Sequence, residues 1–505
     1  MAAPRVLIVG AGPTGLVLGL CLNKLGVPFR IIDKNSGPGQ ASRALVVQAR
    51  TLEFYRQLGI ADEVVARGIV IDHAQLRRKG KPFAKISFED FGKGLSPFTF
   101  ALGFPQDDHE RFLVERLKAA GIDVEWNTEL ASFSQSVDGV AVALRKAGAD
   151  ETVAMAYLAG CDGARSTVRQ GLNLDFPGGT YSHLFYVADV KVADSGTANT
   201  DLLINIAAHS FALMLPVRSS GMQRLIGIVP DELMARTDLT FADIQPVVEP
   251  VLDVKITQVN WFSTYHVHHR VASHFKVGRC FLAGDAGHIH SPAGGQGMNT
   301  GIGDAVNLAW KLADVLGGRA PETLLDTYDT ERIGFARTLV ASTDSAFKLI
   351  VSQSPASVFL RSWIVPHILP ALSQFSAVRR EFFRAVSQIR ISYRDSALSE
   401  GAAGAVAGGD RLPWVGGETA DNFAPLSSMA WQLHVYGAAS EALAKAAMGL
   451  KLPVDAFAWS GQMRKAGLAQ DAAYLIRPDG HVALALPDQD VGALNSYAAR
   501  HGLSF

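Results

Sequence analysis

A strand that runs straight into a glycine loop, then a helix, then a second strand ending on an acid narrows the possible folds of this chain more than anything else in it. Residues 5–9 read as a buried strand and lead into Gly10-Ala11-Gly12-Pro13-Thr14-Gly15. A helix follows and ends near Gly26, and residues 29–32 form the next strand, which closes on Asp33. Alone, a G-x-G-x-x-G is weak evidence, because glycines also close ordinary turns. Between a strand and a helix, with an acid near the roughly 20-residue spacing, it is a dinucleotide fingerprint. Gly10 permits the tight turn, Gly12 lets the backbone approach a pyrophosphate, and Gly15 lets helix and strand pack closely. Asp33 is expected to accept from ribose hydroxyls. Only one such fingerprint occurs, so the chain has one dinucleotide-binding domain.

A second glycine-rich stretch lies at residues 284–316, GDAGHIHSPAGGQGMNTGIGDAVNLAWKLADVL. It follows the apolar run 280–283, which reads as a buried strand delivering Asp285 into a loop. Glycine loses more backbone entropy on folding than any other residue, so six glycines between positions 287 and 303 suggest that something approaches the backbone closely. Ala305, Leu308, Ala309, Leu312 and Leu316 then recur at helical spacing, and Gly317-Gly318 supplies the stop. A helix N-terminus carries about half a positive charge and unpaired N–H groups, so this loop suits a flat, partly anionic ligand.

Composition excludes several classes. With 505 residues and 48% hydrophobic content the chain can bury two or three cores. Lys plus Arg is 47 against 48 Asp plus Glu without like-charge runs, which argues against a nucleic-acid surface. Cys21, Cys161 and Cys280 lie far apart without zinc spacing, so no metal site is expected and a reducing cytoplasm fits. The apolar stretch 358–372 is broken by Arg361, Pro366, His367 and Pro370, so no membrane segment is expected.

Between the two glycine stretches, residues from 50 on form a helix with Leu52, Tyr55 and Leu58 on one face, and Arg43 before it is either a surface charge or a phosphate and flavin neighbour. Residues 72–100 alternate as strands do, 106–117 form a helix, and 124–126, 137–144 and 153–159 read as antiparallel strands. Asp162-Gly163 signals a turn. Short strands fill 181–265 and look like a separate sheet inserted into the dinucleotide domain. Residues 321–398 read as helical, 401–417 as a Gly/Ala-rich linker, and 431–505 as a small α/β module.

Three ordered motifs, the fingerprint at Gly10, the Asp162-Gly163 turn and GDAGHIHSPAGGQGMN from Gly284, resemble the group A flavoprotein aromatic hydroxylases, the family with the para-hydroxybenzoate hydroxylase fold. The resemblance covers about residues 1–345. The remainder looks like the thioredoxin-like domain of the subset acting on phenols and aromatic polyketides, and its lack of cysteine excludes a dithiol role. The implied fold class is α/β: a Rossmann-like FAD-binding domain (1–70, 101–180, 270–345), an inserted substrate sheet (71–100, 181–269), a helical connector (346–400) and a thioredoxin-like domain (401–505).

By this resemblance the cofactor is FAD. Gly10, Gly12, Pro13, Thr14, Gly15, Asp33 and Lys34 hold its ADP half, with Arg43 and Gln106 beside the flavin. Asp162 touches FAD and the nicotinamide, and Asp285 binds the ribityl hydroxyls. Gly295, Gly297, Met298 and Asn299 border the flavin, the last three through backbone N–H groups, and Pro292 lies over the ring near the substrate. NADH or NADPH reduces the FAD, and O2 then gives a flavin C4a-hydroperoxide that hydroxylates a phenolic ring. A phenol of pKa near 10 is only about 0.1% ionised at pH 7, so a base would help. His209, Tyr265 and His266 are the candidates. If 208–216 aligns with the family strand that carries a carboxylate-clamping Arg, none is present, which suits a larger or uncharged phenol. No nucleic acid or membrane is implied, and a homodimer stays open. The alternatives are a flavin oxidase or dehydrogenase of the same fold, and a flavin-binding scaffold whose tail recruits partners.

Overall fold

The computed structural model describes residues 5–39, 44–78, 80–146, 148–193, 200–206, 211–217, 221–291, 293–352, 354–360, 368, 372, 374–417 and 421–505. Strand Val6–Val9 is buried on both faces, as its unbroken apolar sequence demands, and forms part of a five-stranded sheet. It pairs in parallel with Phe29–Ile32 on one side and Tyr157–Gly160 on the other, and Cys280–Leu282 pairs in parallel with the latter. Chain segments far apart in sequence thus end side by side, with both glycine loops leaving the same sheet.

Tyr157–Gly160 corrects one expectation. Residues 149–155 do pair antiparallel with 140–146, but at Ala156 the chain changes sheets. Polar positions in 149–155 lie largely exposed, whereas Tyr157, Leu158, Ala159 and Gly160 are all buried. An all-apolar run belongs in a parallel sheet covered on both faces. Residues 124–126 form no strand, only a single bridge between Ile32 and Glu125.

An eight-stranded sheet runs in the order 288–289, 256–271, 178–192, 222–228, 211–216, 201–206, 73–78, 81–87. Helix Phe241–Leu252 covers one face, burying Tyr186, Ala188, Val190, Leu203, Met214 and Leu225. The edge strand His288–Ile289, which pairs with Arg270 and Val271, is itself part of the second glycine stretch. That pairing sets the flavin-motif loop against this sheet.

Residues 401–417 are not a linker. Val406, Leu412 and Val415 are buried with Tyr474 and Ile476 in one core, and the small residues are there because backbone meets backbone. A Cβ on Gly408 would lie 2.2 Å from Glu400 N, and one on Gly409 2.4 Å from Arg394 N. The C-terminal four-stranded sheet, 454–457, 432–436, 473–476 and 482–486, is joined to the rest by a seam of buried charge. Arg477 binds Glu331 through both terminal nitrogens (2.8 and 2.9 Å) and also reaches Asp479. Lys311 and Ser396 complete Glu331, Asn307 and Trp310 reach Asp479, and Arg50 donates to the Asp479 carbonyl. Helix Gly297–Leu316 supplies Asn307, Trp310 and Lys311, so one helix begins at the glycine loop and ends in the seam.

Candidate active site

The glycines of the first loop divide into two kinds. Gly10 has φ +105°, and a Cβ there would fall 2.3 Å from Cys161 O; one on Gly15 would fall 2.0 Å from Gly10 O. Both are required by the protein itself. A Cβ on Gly12 would meet nothing within 4 Å. Gly12 caps helix Pro13–Lys24 without any side-chain cap, so the first N–H groups stand beside open space, a cradle for a pyrophosphate. Asp33 shapes the same loop, accepting from Ala11 N (2.7 Å) and Asn35 N (2.8 Å), while Lys34 is exposed. Thr14 is a packing wedge, its Oγ1 filling the space over Gly284 and Gly301, where a Cβ would come within 2.6 and 2.3 Å.

In the second stretch Gly284 turns at φ +62° and leaves Asp285 exposed. Gly294 and Gly295 have φ +76° and +61°. The Asn299 side chain fixes the loop: it donates to Val46 O (2.9 Å) and Gly295 O (2.8 Å) and accepts from Gln48 N (2.9 Å) and Thr51 Oγ1 (2.8 Å). With that side chain occupied, what the uncapped start of helix Gly297–Leu316 can offer a ligand is backbone N–H, around the half-buried Gly297 and Met298. Sequence reasoning missed what supports it from behind. Asp304 accepts from Gly284 N (2.8 Å), His288 (2.7 Å) and Arg332 (2.6 Å), all buried. The only signal was an acid about two turns into a helix that the sequence buries.

Asp162 carries an incomplete set of bonds. Its Oδ2 accepts from Thr167 N (2.6 Å) and Val168 N (3.2 Å), but its buried Oδ1 has no partner among the described residues. Burial pushes this carboxyl up from its ordinary pKa, against the pull of Ser166 and the backbone N–H groups. Gln106 pins Ala44 through both backbone groups, and Glu110 holds Gly39, so both ends of the segment containing Arg43 are anchored. Arg43 itself, Pro292 and His209 lie outside the described residues.

The sheet face turned away from helix Phe241–Leu252 packs through Leu213 and Leu215 against Leu45 and Val46, beside the second loop. On it Leu202, Ile204, Phe211, Leu213, Ile226 and Ile228 are half-buried, alternating with the fully buried Leu203, Ala212, Met214 and Leu225. The strand 211–216 carries no Arg, as the sequence suggests, but its neighbour carries Arg224. Asp189 binds Arg224 at 2.8 Å on two nitrogens and also accepts from Trp261 Nε1 at 2.9 Å. A further bond from Arg224 to Ala44 O (3.2 Å) ties this face to the segment around Arg43. Tyr265 stands on the same face, its ring 6.0 Å from Phe185. His266 does not: strand alternation turns it to the opposite, exposed side, so the two cannot act in one pocket.

Two glycine loops leave parallel strands of one sheet, Asp162 keeps an orphaned carboxylate oxygen after a third, and a half-buried apolar sheet face lies beside the second loop, the arrangement of a dinucleotide-binding protein. The profile of the FAD binding domain family matches residues 4–343, and the chain belongs to that family, as an FAD-binding monooxygenase of the aromatic hydroxylase type. It is 37% identical to 6-methylpretetramide 4-monooxygenase of Streptomyces rimosus, over 80% of this chain and 72% of that one. Pentachlorophenol 4-monooxygenase of Sphingobium chlorophenolicum is 31% identical, with 82% and 76% covered. Among solved structures, the flavin-dependent monooxygenase PieE in complex with FAD and substrate superposes with a TM-score of 0.81 at 25% identity, covering 99% of both chains. Among the described residues no helix is long and apolar enough to cross a membrane.

Proposed function

We propose that this enzyme uses NAD(P)H and O2 to hydroxylate an uncharged, multi-ring phenol. The observation that carries the substrate class is the inner sheet face. Its six half-buried apolar side chains form a broad wall, and Arg224, which could have clamped a carboxylate, is already neutralised by Asp189. The curated relative acting on 6-methylpretetramide supports the same reading.

When bound, FAD carries electrons from the nicotinamide to O2 and supplies the oxygen chemistry. The chain's own residues bind, orient and exclude water. The open face of Gly12 would admit the pyrophosphate, Asp33 would accept from the adjoining ribose and Asp285 from the ribityl hydroxyls. The N–H groups at the start of helix Gly297–Leu316 stabilise negative charge on the ring edge, and Asp162 completes its open oxygen against the cofactor. In this reading 1–70, 101–180 and 270–345 serve FAD, and 71–100 with 181–269 serve the substrate. The three cysteines, free and buried, fit work in a reducing cytoplasm.

The test is to purify the protein, count FAD per chain, and follow NAD(P)H consumption with a panel of polycyclic phenols by mass spectrometry. A stimulated rate with a product heavier by one oxygen is expected. Peroxide alone, in equal amount to the nicotinamide consumed, would favour the oxidase alternative.

A further inference from the structure

At one end of the inner sheet face three titratable side chains from three elements meet. Tyr181, on strand Gly178–Val192, donates its hydroxyl to Asp344 Oδ1 on helix Asp326–Val351. His269, on strand Ile256–Val271, has its ring centroid 4.9 Å from that of Tyr181. Its Nδ1 lies 4.0 Å from the same Asp344 oxygen and is buried without a hydrogen-bond partner among the described residues. Opposite it, Gly179 leaves room for the ring, since a Cβ there would fall 2.8 Å from Cε1 and Nε2.

The cluster lies where the sheet meets the second glycine stretch. His269 follows Tyr265 and Val267 at every second position, so all three share the inner face with Phe185 and Tyr181. Its neighbour Arg270 pairs with Ile289, whose strand runs on into Ser291, and Ser291 Oγ reaches the carbonyl of Thr343, next to Asp344. The His269 side chain is 26% exposed, so the cluster extends from an apolar wall to solvent.

We propose that Tyr181, Asp344 and His269 form the proton exit of the substrate cavity, an inference that rests on the hydroxylase reading above. The phenol O–H bond breaks, its proton passes to the His269 imidazole, and the phenolate stays in the cavity as the more nucleophilic ring. The Asp344 carboxylate faces the resulting imidazolium, and His269 then releases the proton to solvent. Tyr181 keeps its own proton, because burial, and after it the bond to Asp344, raise its pKa. The imidazole Nδ1, 4.0 Å from Asp344 Oδ1 and without a hydrogen-bond partner among the described residues, closes on that carboxylate once the ring carries the proton, since catalytic hydrogen bonds are often long until the complex forms. Among the described residues, the titratable groups on the elements that meet at His269 are Tyr181 and His183 on the facing strand, Tyr265 on its own strand, Asp344 on the helix and His290 after the neighbouring edge strand; His266, His268 and Arg270 alternate to the other face.

The test uses the full-length, FAD-loaded protein without nicotinamide, and alizarin as probe, whose phenol ionisation changes its visible spectrum. Bound alizarin is titrated with pH in the wild type, His269→Gln and Asp344→Asn. His269→Gln is expected to move the ionisation of bound alizarin upward by at least one pH unit, a tenfold change in ionised fraction, with FAD affinity changed less than twofold. Asp344→Asn should shift it the same way by less, and provides the reading if the first variant does not fold. A merely structural histidine would leave the curve in place, and titrations that superimpose overturn the proton exit alone. A wild-type protein that takes up FAD but binds no alizarin overturns the polycyclic-phenol reading, and the exit with it.

Discussion

Gly12 leaves the start of its helix beside open space and Asp162 keeps one buried carboxylate oxygen without a partner among the described residues, whereas Arg477 makes four hydrogen bonds to Glu331 and Asp479 and has no exposed surface. Both regions are touched by helix Gly297–Leu316, one at its start and the other in its later turns. A buried charge left unpaired costs several kcal/mol, so a stable fold keeps incomplete polar groups only where something outside the chain completes them. The comparison therefore sorts polar residues into those that serve the fold and those that serve a ligand, and substitutions can separate the two.

The largest effect is expected in the seam. Arg477→Met would leave Glu331 and Asp479 buried without their main partner and lower stability by about 3–5 kcal/mol in urea unfolding. A loss below about 1 kcal/mol would show that the seam does not hold the C-terminal sheet. Acid should find the same region. Burial alone would raise the carboxyl pKa values of Glu331, Asp479, Glu53 and Asp304, but the facing cations outweigh it and hold all four below the usual range. The unfolded chain therefore takes up protons near pH 4 that the folded chain refuses. Stability is complete above that range and falls as the pH drops through it, which the urea midpoints at pH 7 and pH 3 would show.

Asp285→Ala should do the opposite. The side chain is exposed, so whatever it holds within the chain should contribute no more than about 1 kcal/mol to unfolding of the apoprotein. Loss of one charge-assisted bond to the cofactor costs about 1.5–3 kcal/mol, so FAD should bind about 10- to 100-fold more weakly in a release titration. Asp33→Ala differs in kind, because it also frees the backbone N–H groups of Ala11 in the first loop and of Asn35 and should cost stability as well as affinity. A variant of Asp285 that unfolds more easily yet holds FAD normally would break the division.

Most of the cofactor side was legible in the sequence, because glycine loops, a helix start and an acid at fixed spacing are local patterns. The seam was not. Glu331 and Arg477 are 146 positions apart, and no periodicity announces an ion pair at that separation. Residues 401–417 misled for a related reason: glycine marks close backbone approach as often as it marks freedom, and only the neighbours of Gly408 and Gly409 tell which. The switch of sheets at Ala156 could have been seen, since the polar start of 149–155 gives way to the all-apolar, all-buried run that begins at Tyr157.

Within the first loop the same comparison narrows to two residues. Gly10→Ala must push Cβ into the Cys161 carbonyl at a φ of +105°, which side chains rarely adopt, so apoprotein stability should fall by about 1–3 kcal/mol. Gly12→Ala meets nothing and should stay within about 0.5 kcal/mol of the parent while weakening FAD. Equal unfolding midpoints for the two variants would refute the distinction.

The smallest effect is expected at His266, and it tests the sheet. Strand alternation sets His266 on the exposed face, while Tyr265 lies half-buried on the inner one beside Phe185. A surface substitution away from partners changes stability by no more than about 0.5 kcal/mol, and a residue facing away from the cavity cannot take part in substrate ionisation. His266→Ala should therefore leave unfolding, FAD release and phenol-stimulated nicotinamide oxidation within about twofold of the parent. Tyr265→Phe, which removes one hydroxyl from the inner face, should change the substrate concentration needed for half-maximal stimulation with little effect on FAD. If His266→Ala instead lowers hydroxylation tenfold while Tyr265→Phe is silent, the face assigned to the substrate is the wrong one.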